Sequence, residues 1–238
     1  MDQSFSELNA DVPPVDRNES ETVGQGDQFL LAQQRQQGQQ ERQYRKKAII
    51  FIGQPGKGED NVGRNFERAA RTRAGELYNQ GYAPIPVRVK NVDEIRNALA
   101  AFGEYEKIER VEYFGHSSSK ALYVGQERGD GTNLDASHLS ALTSERLSEG
   151  CIIRLNSCSA GQDPGNRDVP IAAKIARQLD RKVEAYDGPA IFSTNPNRPD
   201  GLERPPEQGD IYLVPENGFK RRTFEPPTRA RSFTHSRQ

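Results

Sequence analysis

Two short apolar runs constrain this chain most, because each ends in a chemically useful residue followed by small ones. The first reads Val111-Glu112-Tyr113-Phe114-Gly115-His116-Ser117, the second Cys151-Ile152-Ile153-Arg154-Leu155-Asn156-Ser157-Cys158-Ser159-Ala160-Gly161. Runs of this length and composition read as buried strands. If they neighbour each other in a parallel sheet, their axes lie about 4.8 Å apart. His116 and Cys158 then emerge at the carboxyl edge, where open α/β sheets carry their sites. An imidazole beside a thiol is the minimum equipment of a cysteine nucleophile.

The surrounding pattern supports such a sheet. Residues 48–53 form a continuous apolar run suited to a central parallel strand. Residues 84–89 read as a strand nearer the edge, because Pro84 and Pro86 cannot donate to a ladder. The strand carrying His116 is expected near 108–114, a hairpin-like piece at 121–125, the cysteine strand near 151–156 and another strand at 182–186. Helical spacing joins Val62, Phe66, Ala69, Ala70 and Leu77, and again Val92, Ile95, Ala98, Leu99 and Phe102. A helix over 135–149 is expected to hold Leu139, Leu142 and Leu147, and one opening at Asp168 and Pro170 carries Ile171, Ile175 and Leu179. Alternating β and α elements predict an α/β fold with a doubly wound, mostly parallel sheet flanked by helices. Two late segments, 190–193 and 211–214, suit a hairpin around the proline-rich stretch 195–210.

Three segments are expected along the chain: a disordered Gln-rich leader over 1–45, with at most a short helix near 29–31, an α/β domain over 46–216, and a basic disordered tail over 217–238. The share of hydrophobic residues, 33%, is low for a fully globular chain of 238 residues, consistent with diluted ends. The net charge of −1 offers no field for nucleic acid or an anionic membrane surface, and neither partner is expected. No apolar run approaches membrane-spanning length, and the acidic start lacks a signal-peptide core. Two cysteines make no disulfide scaffold. The expected location is the cytoplasm, or outside the cell by export without a cleavable signal. No metal or other cofactor is expected, since two cysteines and three scattered histidines have no zinc spacing.

Other motifs weigh less. His138 reads as a helix residue and His235 as part of the tail. Cys151, at the far end of its strand, reads as a small buried hydrophobe. Gly53-Gln54-Pro55-Gly56-Lys57-Gly58 follows a strand but lacks phosphate-loop spacing, so it reads as a flexible loop at the active edge. Gly115-His116-Ser117-Ser118-Ser119 nearly matches a serine nucleophile elbow, which makes a serine hydrolase using Ser117 a third alternative.

The order strand–Gly115-His116, hairpin, helix, strand–Ser157-Cys158-Ser159-Ala160-Gly161 resembles the caspase-like (clan CD) cysteine peptidases. It is similar to metacaspases in the cysteine segment, and in layout to the autoprocessing cysteine protease domains of bacterial toxins. The resemblance covers about residues 47–187. It implies Cys158 as nucleophile and His116 as general acid/base. The oxyanion site would use backbone N–H groups of Cys158 and of the Gly115–Ser117 turn. It implies a protein or peptide substrate, self-processing included, and a bacterial effector or toxin role, and it leaves open a small-molecule or anionic activator. Two positions depart from the pattern: Ser117 stands where glycine usually follows the histidine, and Asn156 where metacaspases carry an acid. The pattern Gln-Ala-Cys-x-Gly is absent. Asp163 and Asp187 are therefore the candidates, beside Asn156, for lining a substrate pocket. The alternative is a catalytically inactive caspase-like module that binds a protein partner.

Overall fold

The first strand, β1 (Lys46–Gly53), has no polar side once it enters the sheet. Ala48, Ile50 and Ile52 point one way, Ile49 and Phe51 the other, and all five are buried. Alternate residues of a strand face opposite sides, so a layer must cover each face. The computed structural model shows both layers; it describes residues 46–126, 132–165, 168–194, 210–216 and 218–227. The expected leader, the short helix near 29–31, His235 and the loop 195–209 lie outside the described residues.

In chain order, β1 leads through a loop to α1 (Asp60–Asn79), β2 (Tyr82–Val89), α2 (Val92–Ala100) and β3 (Ile108–Phe114). Three two-residue strands follow: β4 (His116–Ser117), β5 (Leu122–Tyr123) and β6 (Asn133–Leu134). Then come β7 (Leu147–Asn156), α3 (Ile171–Leu179), β8 (Lys182–Tyr186), β9 (Ala190–Ser193), β10 (Tyr212–Pro215) and β11 (Arg221–Phe224). The main sheet runs β11-β8-β7-β3-β1-β2, parallel except for β11. From β1 the chain goes to β2 on one side and to β3 on the other, so the order reverses between β1 and β3. This is the doubly wound α/β fold expected from the sequence. The proline-bearing β2 is an edge strand, as predicted. The strands 190–193 and 212–215 pair antiparallel as the expected late hairpin.

Two apolar clusters fill the layers. On one face Ile49, Phe51, Val111, Tyr113, Ile153, Leu155, Val183 and Ala185 pack against Val92, Ile95 and Leu99 of α2 and Ile171, Ile175 and Leu179 of α3. On the other, Ala48, Ile50, Ile52 and Phe114 meet Phe66, Ala69, Ala70 and Leu77 of α1, with Ile211 and Leu213 beside them. Full burial of one such aliphatic or aromatic side chain stabilises by about 1.5–3 kcal/mol.

Two expectations are corrected. Residues 135–149 are not a helix: only Leu139–Ala141 forms a 3₁₀ turn, and β7 begins at Leu147. The Asp135 carboxylate accepts from the Ser137 N–H (2.9 Å) and bonds His138 Nδ1 (3.0 Å). Such local side-chain bonds compete with helical ones. Leu139, Leu142 and Leu147 are all buried, but from an irregular segment. Nor are the described residues 218–227 a disordered tail, because β11 extends the sheet antiparallel to β8. The Arg221 guanidinium lies 4.4 Å from the Tyr186 ring centroid, and Phe224 packs against the core. A cationic strand with one aromatic anchor carries no apolar alternation, so composition alone hides it.

Candidate active site

Parallel register fixes the site from below. Tyr113 pairs with Leu155 and Phe114 with Asn156, so Gly115-His116 and Ser157-Cys158 leave adjacent strands at the same level. Both chains then turn sharply. A Cβ on Gly115 would lie 2.3 Å from Tyr113 Oη, so only glycine allows the backbone to pass there. The same hydroxyl donates to the carbonyls of Tyr123 (2.8 Å) and His116 (3.3 Å). Burial pushes the Tyr113 phenol above its ordinary range, which keeps it a donor. Beyond the cysteine, Ser159 adopts a left-handed conformation (φ 54°) and its N–H donates to the Gly188 carbonyl at 2.7 Å. The two turns are tied directly, since the Ser117 hydroxyl donates to the Cys158 carbonyl.

Each of the two reactive side chains is held by a partner. The partly exposed Cys158 Sγ accepts from the Ala190 N–H at 3.4 Å and donates to the Ala190 carbonyl at 3.5 Å. His116 Nε2 lies 3.0 Å from Glu59 Oε2, and the Phe66 ring meets the imidazole edge-on at 5.1 Å. The same Glu59 oxygen accepts from the Gly56 N–H at 3.0 Å. Phe66 also meets Phe192 of β9 at 5.2 Å. One aromatic side chain of α1 thus touches the histidine and the strand that caps the cysteine. Cys151 differs in every respect: it is 1% exposed, and burial pushes its thiol up to about 12.

Behind the site lies a buried charge network. Glu112, with 0% exposure, accepts from Arg73 Nε (2.9 Å), Arg110 Nε (3.0 Å) and Asn156 Nδ2 (2.8 Å). Burial alone would raise its carboxyl, but the charges of Arg73, Arg110 and Arg154 outweigh burial and hold it well below the usual carboxylate range. Arg73 also pairs with Glu76 (2.6 Å), and Arg154 with Glu184 (2.8 Å). Through Asn156 this network grips β7 two residues before Cys158.

Each residue expected to line a pocket has a partner within the chain. Asn156 is buried in that network, with its Oδ1 3.4 Å from the Arg221 guanidinium nitrogens. The Asp163 carboxylate closes a local turn by accepting from Gly165 N at 2.9 Å. The Asp187 carboxylate accepts from Lys220 N at 2.7 Å and secures the approach to β11. Ser117 is followed by β5, not by a helix, and its hydroxyl is committed to a carbonyl, so the serine elbow is not formed. His138 stays within its own cluster with Asp135 and Ser137. Among the described residues no three His, Cys, Asp or Glu side chains cluster as a metal site, and no helix is long and apolar enough to cross a membrane.

Sequence reasoning missed Glu59, Phe66 and Ala190 as site residues. Glu59 stands just before α1 and Phe66 two turns further on, a spacing that puts both near one side of the helix. That spacing was a readable signal. Nothing in the sequence marks Ala190, whose backbone does the bonding.

No protein-family model and no curated protein sequence matches this chain. Its backbone is similar to solved structures that include a caspase-1 from Spodoptera frugiperda. That caspase-1 aligns at 13% identity and a TM-score of 0.36 over 59% of this chain and 58% of that one. A structure described as pro-sf-caspase-1 aligns at 14% identity and a TM-score of 0.42 over 65% of this chain and 66% of that one. The chain therefore spans under two thirds of either. The doubly wound α/β arrangement rests on this chain's own sheet: mostly parallel strands, helices on both faces, and histidine and cysteine at the ends of neighbouring strands.

Proposed function

We propose that this chain is a cysteine peptidase working through a Cys158–His116 dyad. The observation that supports this reading is the in-register pairing of β3 with β7, which brings a histidine turn and a cysteine turn to one sheet edge. The sulfur attacks the scissile carbonyl carbon as its proton passes to His116. Backbone N–H groups of Cys158 and of the Gly115–Ser117 turn donate to the developing oxyanion. Collapse breaks the C–N bond, His116 returns the proton to the leaving amine, and water then hydrolyses the acyl-enzyme. The substrate class is protein or peptide, which includes this chain itself. The same reading gives an effector or toxin setting, with work in the cytoplasm or after leaderless export. Asp163 and Asp187 remain the candidates for contacting substrate, since Asn156 is buried.

One observation favours the second reading, a non-catalytic module that binds a protein partner. Both dyad side chains are already bonded within the chain, Cys158 to Ala190 and His116 to Glu59. A peptide library incubated with wild type, Cys158→Ala and Cys151→Ser separates the two. The peptidase reading expects turnover by wild type and Cys151→Ser and none by Cys158→Ala. Three equally silent proteins that still capture one common partner would favour the module.

A further inference from the structure

The contact between α1 and the imidazole carries an inference beyond the dyad, resting on the peptidase reading. A carboxylate has only acceptor sites, so an imidazole nitrogen 3.0 Å from Glu59 Oε2 must carry the proton of that bond. That nitrogen is Nε2, which leaves the lone pair of neutral His116 on Nδ1. The carboxylate is itself fixed, because the same oxygen accepts from Gly56 N at 3.0 Å. The ring cannot swing freely, because Phe66 packs edge-on against it from the second turn of α1. The Glu59 side chain makes no capping bond to α1; its carboxylate is spent on the Gly56 N–H and the imidazole. It comes from the loop between β1 and α1, at the point where the strand order reverses.

We infer that Glu59 is the positioning residue of this site: it holds His116 as the Nε2–H tautomer and presents Nδ1 to Cys158 and the leaving group. The proton balance is complete with these groups. The thiol proton goes to Nδ1 as the sulfur pair forms the S–C bond and the carbonyl pair moves to oxygen. The Nδ1 proton passes to the leaving nitrogen as the C–N bond breaks. In deacylation water gives a proton to Nδ1, its oxygen attacks the acyl carbon, and the departing sulfur takes that proton back. Glu59 exchanges no proton and faces the positive charge that forms transiently on the ring. Its carboxylate therefore stabilises the step more than the resting state.

Two readouts test this on the full chain, with Glu59→Ala removing the acceptor and Glu59→Gln keeping its shape without charge. The first is the tautomer of His116 by long-range ¹H–¹⁵N correlation on histidine-labelled protein. The wild type should show the Nε2–H form, and Glu59→Ala should lose that preference at an unchanged unfolding midpoint. The second is peptide turnover: kcat should fall about 100-fold in Glu59→Ala with KM within about twofold, and less in Glu59→Gln. An Nδ1–H tautomer in the wild type overturns the inference, as does a Glu59→Ala protein with unchanged tautomer and unchanged kcat. A wild type that cleaves no peptide would count against the peptidase reading alone, and the spectra would still decide the pairing.

Discussion

The two faces of the central sheet are built on different physics. The face under α2 and α3 is mainly Ile, Leu, Val, Ala and Phe side chains that exclude water without needing specific partners, with Tyr113 at its site end bonded to two carbonyls. The face under α1 is apolar only over β1 and the end of β3. Toward β7 and β8 it becomes Arg110, Glu112, Arg154, Asn156 and Glu184, closed off by Arg73 and Glu76 from the helix. The first kind of packing tolerates exchange of similar volumes. The second does not, because each buried charge depends on named partners. The candidate site belongs to the second face: Glu59, just before α1, and Phe66 of α1 hold His116, Phe66 touches β9, and Asn156 ties Glu112 to the cysteine strand. Direction and position, which a dyad needs, come from the charged face; bulk cohesion comes from the other.

The comparison can be broken from its strong end first. Glu112→Ala leaves three guanidinium groups facing a void and should cost about 3–5 kcal/mol in urea unfolding, a loss that would vanish if water entered and solvated them. On the other face, Leu155→Ala should cost about 2–5 kcal/mol, through lost transfer energy and the cavity left behind. Its acid response should match that of wild type. Acid should separate the faces further. The Glu112 and Glu184 carboxyls are held below their ordinary range when folded, so their stabilisation is complete above the unfolded carboxylate value and is lost as pH falls. Thermal midpoints should therefore drop from about pH 5 downward, and Glu112→Gln should flatten that slope. An equally steep slope in the Gln variant would remove Glu112 from the explanation. The smallest effect should come from Ile175→Val in α3, about 0.5–1.5 kcal/mol with no change in acid response.

The same contrast explains what the sequence disclosed. Apolar runs ending in glycine or small residues read correctly as strands, and helical apolar spacing located all three helices. Together they put His116 and Cys158 on neighbouring strand ends. The segment 135–149 misled because three buried leucines occur at a spacing that a helix would also explain, while Asp135 and Ser137 bond locally. The tail misled because Arg221 and Arg222 read as solvated charges, yet Arg221 stacks on Tyr186. Arg73, Glu76 and Glu112 lie inside helical and strand patterns, and only the position of Glu112 between Val111 and Tyr113 hinted at a buried carboxylate. Periodicity reports which face is apolar. It does not report which charges on different elements find each other, and the pairing of Glu59 with His116 is of that kind.

The central claim is that His116 serves Cys158. The most direct measurement is iodoacetamide labelling at neutral pH with peptide mapping of both cysteines, in wild type and in His116→Ala. Cys158, partly exposed, should label well ahead of Cys151, which is buried and has its thiol pushed up to about 12. Loss of His116 should slow Cys158 by at least about 10-fold and leave Cys151 unchanged. Equal labelling of Cys158 with and without His116 would contradict the account.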